Sequence, residues 1–364
     1  MKVALIYDRV NKWGGAERVL LALHEIFPKA DLFTAVYSPS KAKWAKVFPK
    51  VVPSFLQKIP FTKSNHEFLG TFTPIAFETF DFGEYELVIS VTSEAAKGVL
   101  TRSGTVHICY CLTPTRYLWS AHDYYFQKPP AKFKFIPFFQ QLSRPLVKYL
   151  KAWDKIAAQR PDKMIAISTA VRDRIRKYYR READIIFPPV DIEKFHPKSP
   201  SEKGEFYLVV SRLIPYKRVD LAIKAFNVLG LPLVIVGSGT EEGRLKKMAK
   251  GNIKFVGELT DARLADYYRK CTGLIFPQEE DFGIVAVEAQ AAGTPVIAYK
   301  KGGALDTVKD GQTGVFFERQ TVGDLTKAVR KARKIKFDRE TLFKNAQRFS
   351  KEIFKKRFSE LINL

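Results

Sequence analysis

Acid, sulfur and imidazole are all scarce in this chain. Its 364 residues hold 38 Asp and Glu against 61 Lys and Arg, with only three Cys, three Met and five His. Three Cys cannot all pair, and Cys109, Cys111 and Cys271 lack the CxxC spacing of a metal site, so a reducing, cytosolic setting is the simplest fit. No apolar run reaches the roughly 18 residues that a membrane-spanning helix needs. The opening MKVALIYD turns polar too soon for a signal peptide and reads as a first β-strand. With 46% hydrophobic and 27% charged residues, the composition excludes a disordered or collagen-like chain. Length alone points to two domains at about 150 residues each.

What is abundant is positive charge. The net charge of +23 calls for an anionic partner: nucleic acid, anionic lipid or a phosphorylated substrate. Zinc-finger spacing, an RNA-recognition signature and a basic zipper are all missing, so no nucleic-acid partner is expected. Leu32 to His66 holds six Lys and no acid. Tyr124 to Trp153, again without acid, interleaves Lys128, Lys132, Lys134, Arg144, Lys148 and Lys151 with Phe133, Phe135, Phe138 and Phe139. One such run is ordinarily a solvated helix face. Two in one half favour docking on an anionic membrane surface, where rings enter the interface and lysines meet phosphate.

Short β-branched runs alternate with amphipathic stretches. Strands are expected at Val3–Tyr7, Leu87–Val91, Val106–Tyr110, Lys163–Ile167, Tyr207–Ser211, Leu233–Val236, Ile253–Phe255, Gly273–Phe276 and Pro295–Ala298. Strands separated by helices predict parallel sheets covered on both faces. Pro188, Pro189, Pro197 and Pro200 break the pattern. The reading is an α/β chain of two Rossmann-like doubly wound domains facing across a cleft. The first domain is residues 1–188, followed by a linker at 189–204 and a second domain at 205–345. Residues 346–364 end in a helix that packs back on the first domain. In such sheets ligands bind at the carboxyl ends of the strands.

Those strand ends carry the chemistry. Gly14 and Gly15 stand between the first strand and a helix, where backbone N–H groups can meet an anion; the full GxGxxG of a dinucleotide site is absent. In SRLIPYKRVD, Arg212 and Lys217 follow a strand and can grip a diphosphate, one as a planar fork and the other as a point charge. Gly237 and Gly239 keep the next strand exit bare, as a ring or sugar stacked on backbone would require. In PQEEDFGIVAVEAQAAG, Glu280 lies on a loop and Glu288 inside the helix that begins near Gly283. Phosphate can sit on the N–H groups of Gly283 and Ile284, and each carboxylate can accept from paired sugar or ribose hydroxyls. Gly302 and Gly303 mark another exit.

Taken together, GGAERV at Gly14–Val19, CYCLTPTRYLWS at Cys109–Ser120, FPPVD at Phe187–Asp191, SRLIPYKRVD and the Glu280–Glu288 element resemble glycosyltransferase family 4 over nearly the whole chain. These are retaining GT-B transferases that use nucleotide-sugar donors. TPTRYLW and PPVD look closest to mannosyltransferases of O-antigen and polysaccharide assembly. The resemblance implies that Arg212 and Lys217 bind the donor diphosphate, Glu280 the transferred sugar and Glu288 the ribose. Phe282, Gly283 and Ile284 supply amides to sugar and phosphate, Gly15 lies near the pyrophosphate, and Glu258 and Leu259 contact the base. It implies no metal or other cofactor, and no DxD motif is found at a strand exit. GDP-mannose is the favoured donor, with a UDP-sugar as the alternative.

Two positions depart from the family. Leu112 stands where relatives carry a His that contacts the donor sugar, and Asp306 stands where Glu is frequent. His107 and His122 are nearby in sequence, each read as an ordinary structural histidine. The expected function is hexosyl transfer to a lipid-linked or other glycan acceptor, by a peripheral protein on the cytosolic face of the membrane. The alternatives are a nucleotide-sugar epimerase of similar fold and a donor-binding protein that has lost turnover, which Leu112 favours.

Overall fold

The structure is a computed structural model that describes residues 1–59, 72–120, 139–196 and 204–362, with the main chain alone at 139–142. It divides into two compact units, Met1–Phe187 together with Ile362, and Pro188–Leu361. Each is built on one parallel sheet.

The first sheet has seven strands: β1 (Val3–Tyr7), β2 (Asp31–Thr34), β3 (Val51–Pro53), β4 (Leu87–Thr92), β5 (Val106–Cys111), β6 (Lys163–Ala166) and β7 (Asp184–Ile185). Their order is β3-β2-β1-β4-β5-β6-β7. β1 and β4 are buried at every residue, as central strands of a parallel sheet covered on both faces are. The second sheet has six strands: β8 (Tyr207–Val210), β9 (Leu233–Val236), β10 (Ile253–Gly257), β11 (Gly273–Phe276), β12 (Val296–Tyr299) and β13 (Gly314–Phe317). Their order is β10-β9-β8-β11-β12-β13. The order reverses between β1 and β4 in one sheet and between β8 and β11 in the other. Connections leave in opposite directions at such a point, so a crevice opens beyond the strand ends.

The helices follow from apolar spacing. Val219, Ala222, Ile223, Ala225 and Phe226 put one buried face of the helix Val219–Leu229 against the second sheet. Gly230 ends that helix in the left-handed region, its N–H donating to the Phe226 carbonyl at 3.0 Å. Burying a side chain such as Phe226 contributes about 2–3 kcal/mol.

All nine expected strands are present, with ends shifted by at most two residues. β2, β3, β7 and β13 were not expected. β2 and β13 are four residues long, β3 is three and β7 is two, and all four sit at or next to a sheet edge, where no long apolar run is needed. The segment read as a linker is, as far as it is described, built into the second unit. The Val190 N–H donates to the Phe349 carbonyl at 2.9 Å, Ile192 is buried, and the buried Phe195 ring lies 5.7 Å from Tyr268. Its prolines and charges masked an apolar set that anchors it. Residues 197–203 lie outside the described residues. The helix Lys351–Ile362 belongs to the second unit through Leu361 and to the first at Ile362.

Two saturated carboxylates organise the exits of the first sheet. Asp8, just past β1, accepts from Thr92 Oγ1 and from the N–H groups of Ser93, Glu94, Ala95 and Ala96, at 2.8–3.1 Å. Asp154 accepts from Lys97 Nζ, Thr115 Oγ1, Trp119 Nε1 and Tyr179 Oη at 2.6–2.9 Å. Lys97 and Asp154 are both fully buried, and the added neutral donors satisfy what the ion pair alone would leave unmet. The three cysteines are free and buried.

His107 is fully buried on β5, with Nε2 2.9 Å from Ser90 Oγ. Burial pulls its pKa from the ordinary 6.5 down to about 3. Between those values the unfolded chain binds a proton that the native protein does not, so stability falls as the pH falls. Melting curves should lose up to about 1.4 kcal/mol per pH unit through this window. His107→Asn should remove that contribution; identical acid slopes in both proteins would show that His107 titrates freely.

Candidate functional site

The switch point of the second sheet gathers most of the residues singled out from the sequence. β8 runs into Ser211 and Arg212 and then the single turn Pro215–Lys217, while β11 runs into Pro277 and Glu280. Across the gap Lys217 Nζ donates to Glu280 Oε1 in a short ion pair, the two side chains being 11% and 18% exposed. Lys217 has three N–H donors and uses one here, so two remain for an anion.

Tyr216 sits between the two cations. Its hydroxyl accepts from Arg212 Nη2 at 2.8 Å, and its ring lies 5.0 Å under Lys217 Nζ. The exposed Arg212 guanidinium is thereby held near Lys217 in spite of their like charge. Sequence reasoning passed over Tyr216, although its place between the two cations was the available signal. A second layer braces the same gap. Arg218 Nη1 donates to Gln320 Oε1 at 2.8 Å, and Gln320 Nε2 donates to the Pro277 carbonyl at 2.7 Å.

The glycines serve a purpose other than the one expected. A Cβ on Gly237 would lie 2.0 Å from the Ser211 carbonyl oxygen, and one on Gly239 would lie 2.3 Å from that of Leu213. On the far side, a Cβ on Gly303 would meet the Phe282 Cα and carbonyl oxygen at 2.3 Å. These residues are bare because the neighbouring strand exit packs directly on them. The Gly303 N–H also donates to the Glu280 carbonyl at 2.8 Å, so a backbone bond adds to the side-chain contacts that hold the loop bearing Glu280.

Glu288 lies inside the helix Ile284–Ala291, is buried, and accepts from Tyr268 Oη at 3.0 Å. Tyr268, twenty residues earlier in the chain, is a second positioning residue that the sequence did not disclose. Gly283 precedes the helix in the left-handed region at φ 92°, and no side chain caps the helix start. Its N–H groups and dipole therefore suit an anion. The Phe282 ring is buried against Phe349 at 5.4 Å, which leaves only its backbone for a ligand, and Ile284 is half-buried. At the β9 and β10 exits, Ser238 Oγ donates to Glu258 Oε1, and the Gly237 N–H reaches the Gly257 carbonyl at 2.8 Å. Glu258 is exposed and Leu259 half-buried, which leaves both within reach of a ligand.

The first unit has its own switch point. Gly14 is extended and leads into the helix Gly15–Ile26; Glu17 in its first turn accepts from Tyr7 Oη at 2.8 Å. Arg9 and Glu94 pair across the β1 and β4 exits. Burial pushes the Glu94 carboxyl up, with Arg9 pulling against it. Leu112 follows β5 directly, its N–H donating to the Thr92 carbonyl at 2.8 Å. His107 is inside the sheet, and His122 lies outside the described residues. Asp306 is in the short helix Ala304–Thr307. Among the described residues no group of three His, Cys, Asp or Glu side chains is placed to hold a metal ion.

Two family models match this chain. That of Glycosyltransferase Family 4 covers residues 13–194, half of the chain, and that of the glycosyl transferases group 1 covers 191–349. The chain belongs to glycosyltransferase family 4. An uncharacterized glycosyltransferase of Methanocaldococcus jannaschii is 29% identical over 203 residues, 54% of this chain and 57% of that protein. A D-inositol 3-phosphate glycosyltransferase of Frankia alni is 34% identical over 161 residues, 36% of this chain and 40% of its own length. The matches thus span about half the length of these curated relatives. Among solved structures, Anabaena HepE in complex with UDP matches over 100% of both chains at TM-score 0.70 and 19% identity. The apo lipopolysaccharide outer core galactosyltransferase WaaB matches over 100% of this chain and 99% of its own, at TM-score 0.68 and 18% identity. The fold of this family 4 chain is GT-B, with two Rossmann-like parallel-sheet domains.

Gly303→Ala should destabilise the second unit by about 3 kcal/mol or more, through overlap with backbone that cannot withdraw. The melting temperature should drop by roughly 6 °C or more. Gly243→Ala, where an added Cβ meets nothing within 4 Å in a helix, should leave it unchanged or slightly raised. Equal melting of the two variants would mean that the strand exits are not packed on one another.

Proposed function

We propose that this protein is a retaining glycosyltransferase that moves a hexose from a nucleotide-sugar donor to a lipid-linked or other glycan acceptor. The observation that carries the reading is the Lys217–Glu280 pair with Arg212 beside it, at the switch point of the second sheet. Arg212 and the two spare N–H groups of Lys217 suit a diphosphate, while the remaining oxygen of Glu280 suits sugar hydroxyls. One ion pair thereby joins the two ends of the bond to be broken.

Cleaving that bond builds negative charge on the departing phosphate and positive charge on the sugar ring. Fixed cations at the phosphate favour the first, and they act most strongly where the charge is greatest, in the transition state. Glu280, held by Lys217, orients the sugar and need not attack it. The departing phosphate takes the proton of the acceptor hydroxyl on the same face, which retains configuration. In this reading Glu288 takes the ribose, Glu258 and Leu259 the base, and the uncapped start of the helix Ile284–Ala291 the phosphate.

The mannose expectation rests on TPTRYLW and PPVD, and GDP-mannose is the donor we favour. Structural neighbours hold UDP or UDP-glucose, which makes UDP-sugars the competing class. The epimerase alternative is not favoured by the family models.

Exposed apolar side chains beside cations support membrane docking. On the helix Phe139–Ala157, Leu146, Tyr149 and Ile156 lie on one face at spacings of three and seven, with Arg144, Lys148 and Lys155 exposed around them. Phe55 and Ile59 are exposed near Lys58 in the other basic run. The Lys and Phe positions from 128 to 138 lie outside the described residues. Among the described residues no helix is long and apolar enough to cross a membrane. Docking at the cytosolic face is therefore proposed as peripheral.

Turnover should be measured with GDP-mannose and UDP-glucose, following release of the nucleoside diphosphate. Arg212→Ala should lower kcat by roughly a hundredfold or more. Equal, zero rates in wild type and variant with every donor would instead support a binding protein that has lost turnover. Wild-type protein should sediment with vesicles containing phosphatidylserine and less so with neutral ones. Tyr149→Ser combined with Ile156→Ser should reduce the bound fraction severalfold. No sedimentation of wild type removes the membrane proposal.

A further inference from the structure

Five side chains among the described residues have a buried polar atom without a hydrogen-bond partner: those of His24, His107, Arg172, Tyr207 and Gln278. Of these, only Gln278 touches the candidate site. It lies two residues beyond β11, is 2% exposed, and places Nε2 3.4 Å from Glu280 Oε1. A carboxylate only accepts hydrogen bonds, so the amide must turn its NH₂ towards Glu280. Its own oxygen is then left buried and unpaired. Such an arrangement disfavours folding, because a buried acceptor gives up water and gains nothing. Groups of this kind call for an explanation outside stability.

We propose that Gln278 is the positioning residue that keeps Glu280 aimed at the donor sugar when Lys217 engages the diphosphate. In the structure Glu280 Oε1 takes hydrogen bonds from two side chains, Lys217 and Gln278. An incoming diphosphate competes for the lysine and weakens its hold on the carboxylate. The amide is neutral and buried and follows Pro277, whose carbonyl is tied to Gln320, so it is not drawn to the phosphate. It remains as a fixed donor to Oε1, leaving Oε2 free for sugar hydroxyls. Gln278 therefore acts on recognition of the sugar and not on recognition of the nucleotide. This inference rests on the donor-site reading above.

The test is Gln278→Met, which keeps the length and volume of the side chain and removes the amide. Affinities for UDP, GDP, UDP-glucose and GDP-mannose are measured by calorimetry, and melting temperature without ligand. The expected result has three parts. The variant melts no lower than wild type, because the unpaired oxygen is gone. Affinity for the nucleoside diphosphate is unchanged. The affinity of the matching nucleotide sugar relative to its diphosphate falls about tenfold. A variant that melts lower and loses both affinities alike assigns Gln278 a structural role and overturns the proposal. An unchanged ratio with unchanged melting overturns it as well. Wild-type protein that binds none of the four compounds overturns the donor-site reading itself, a result distinct from either failure of Gln278.

Discussion

A lysine on one side of a sheet reversal and a glutamate on the other hold this site together. Lys217 arrives from β8 and Glu280 from β11, strands more than sixty residues apart in the chain and neighbours in the sheet. The pair is mostly out of solvent, so its attraction is screened less than that of a surface pair. It also sets the polarity of the crevice: spare N–H donors on one side, a spare carboxylate oxygen on the other. A ligand that accepts hydrogen bonds at one end and donates them at the other complements those ends.

The remaining parts of the site are arranged so that this pair can form. Gly237, Gly239 and Gly303 let successive strand exits rest on one another with no side chain between them. Tyr216 brings Arg212 to the same gap, and the Arg218–Gln320 link ties the far wall to the near one. The first unit solves the same problem differently. There Asp8 and Asp154 gather N–H and O–H donors from several elements and leave Arg9 with Glu94 at the β1 and β4 exits. Backbone stacking anchors one set of exits and buried carboxylates anchor the other.

The charged and apolar residues of the first unit have a different logic. The helix Phe139–Ala157 buries Val147 and Leu150, which face the interior, while Leu146, Tyr149 and Ile156 stay exposed among cations. A helix that needed only to cover a sheet would not carry that second apolar stripe. That stripe is the feature on which the proposed membrane docking rests.

The fold class and the strands of both sheet centres were legible in the sequence, because each is a local signal, and so were the strand exits that carry the candidate residues. A buried parallel strand is a continuous apolar run, and Arg212, Lys217, Glu280 and Glu288 sit at fixed distances from such runs. The edge strands β3 and β7 were not legible, being too short to carry a pattern. The embedded start of the second unit was hidden because Val190, Ile192 and Phe195 are scattered among prolines and charges. Nor does the sequence alone show what else the glycines do: only packing shows that neighbouring backbone fills the space a Cβ would take. Tertiary structure alone decided that Lys217 faces Glu280, that Tyr268 holds Glu288, and that Gln278 is buried with one oxygen unpaired. Each of these is a contact between residues far apart along the chain or a burial set by the whole unit, and periodicity carries no information about either.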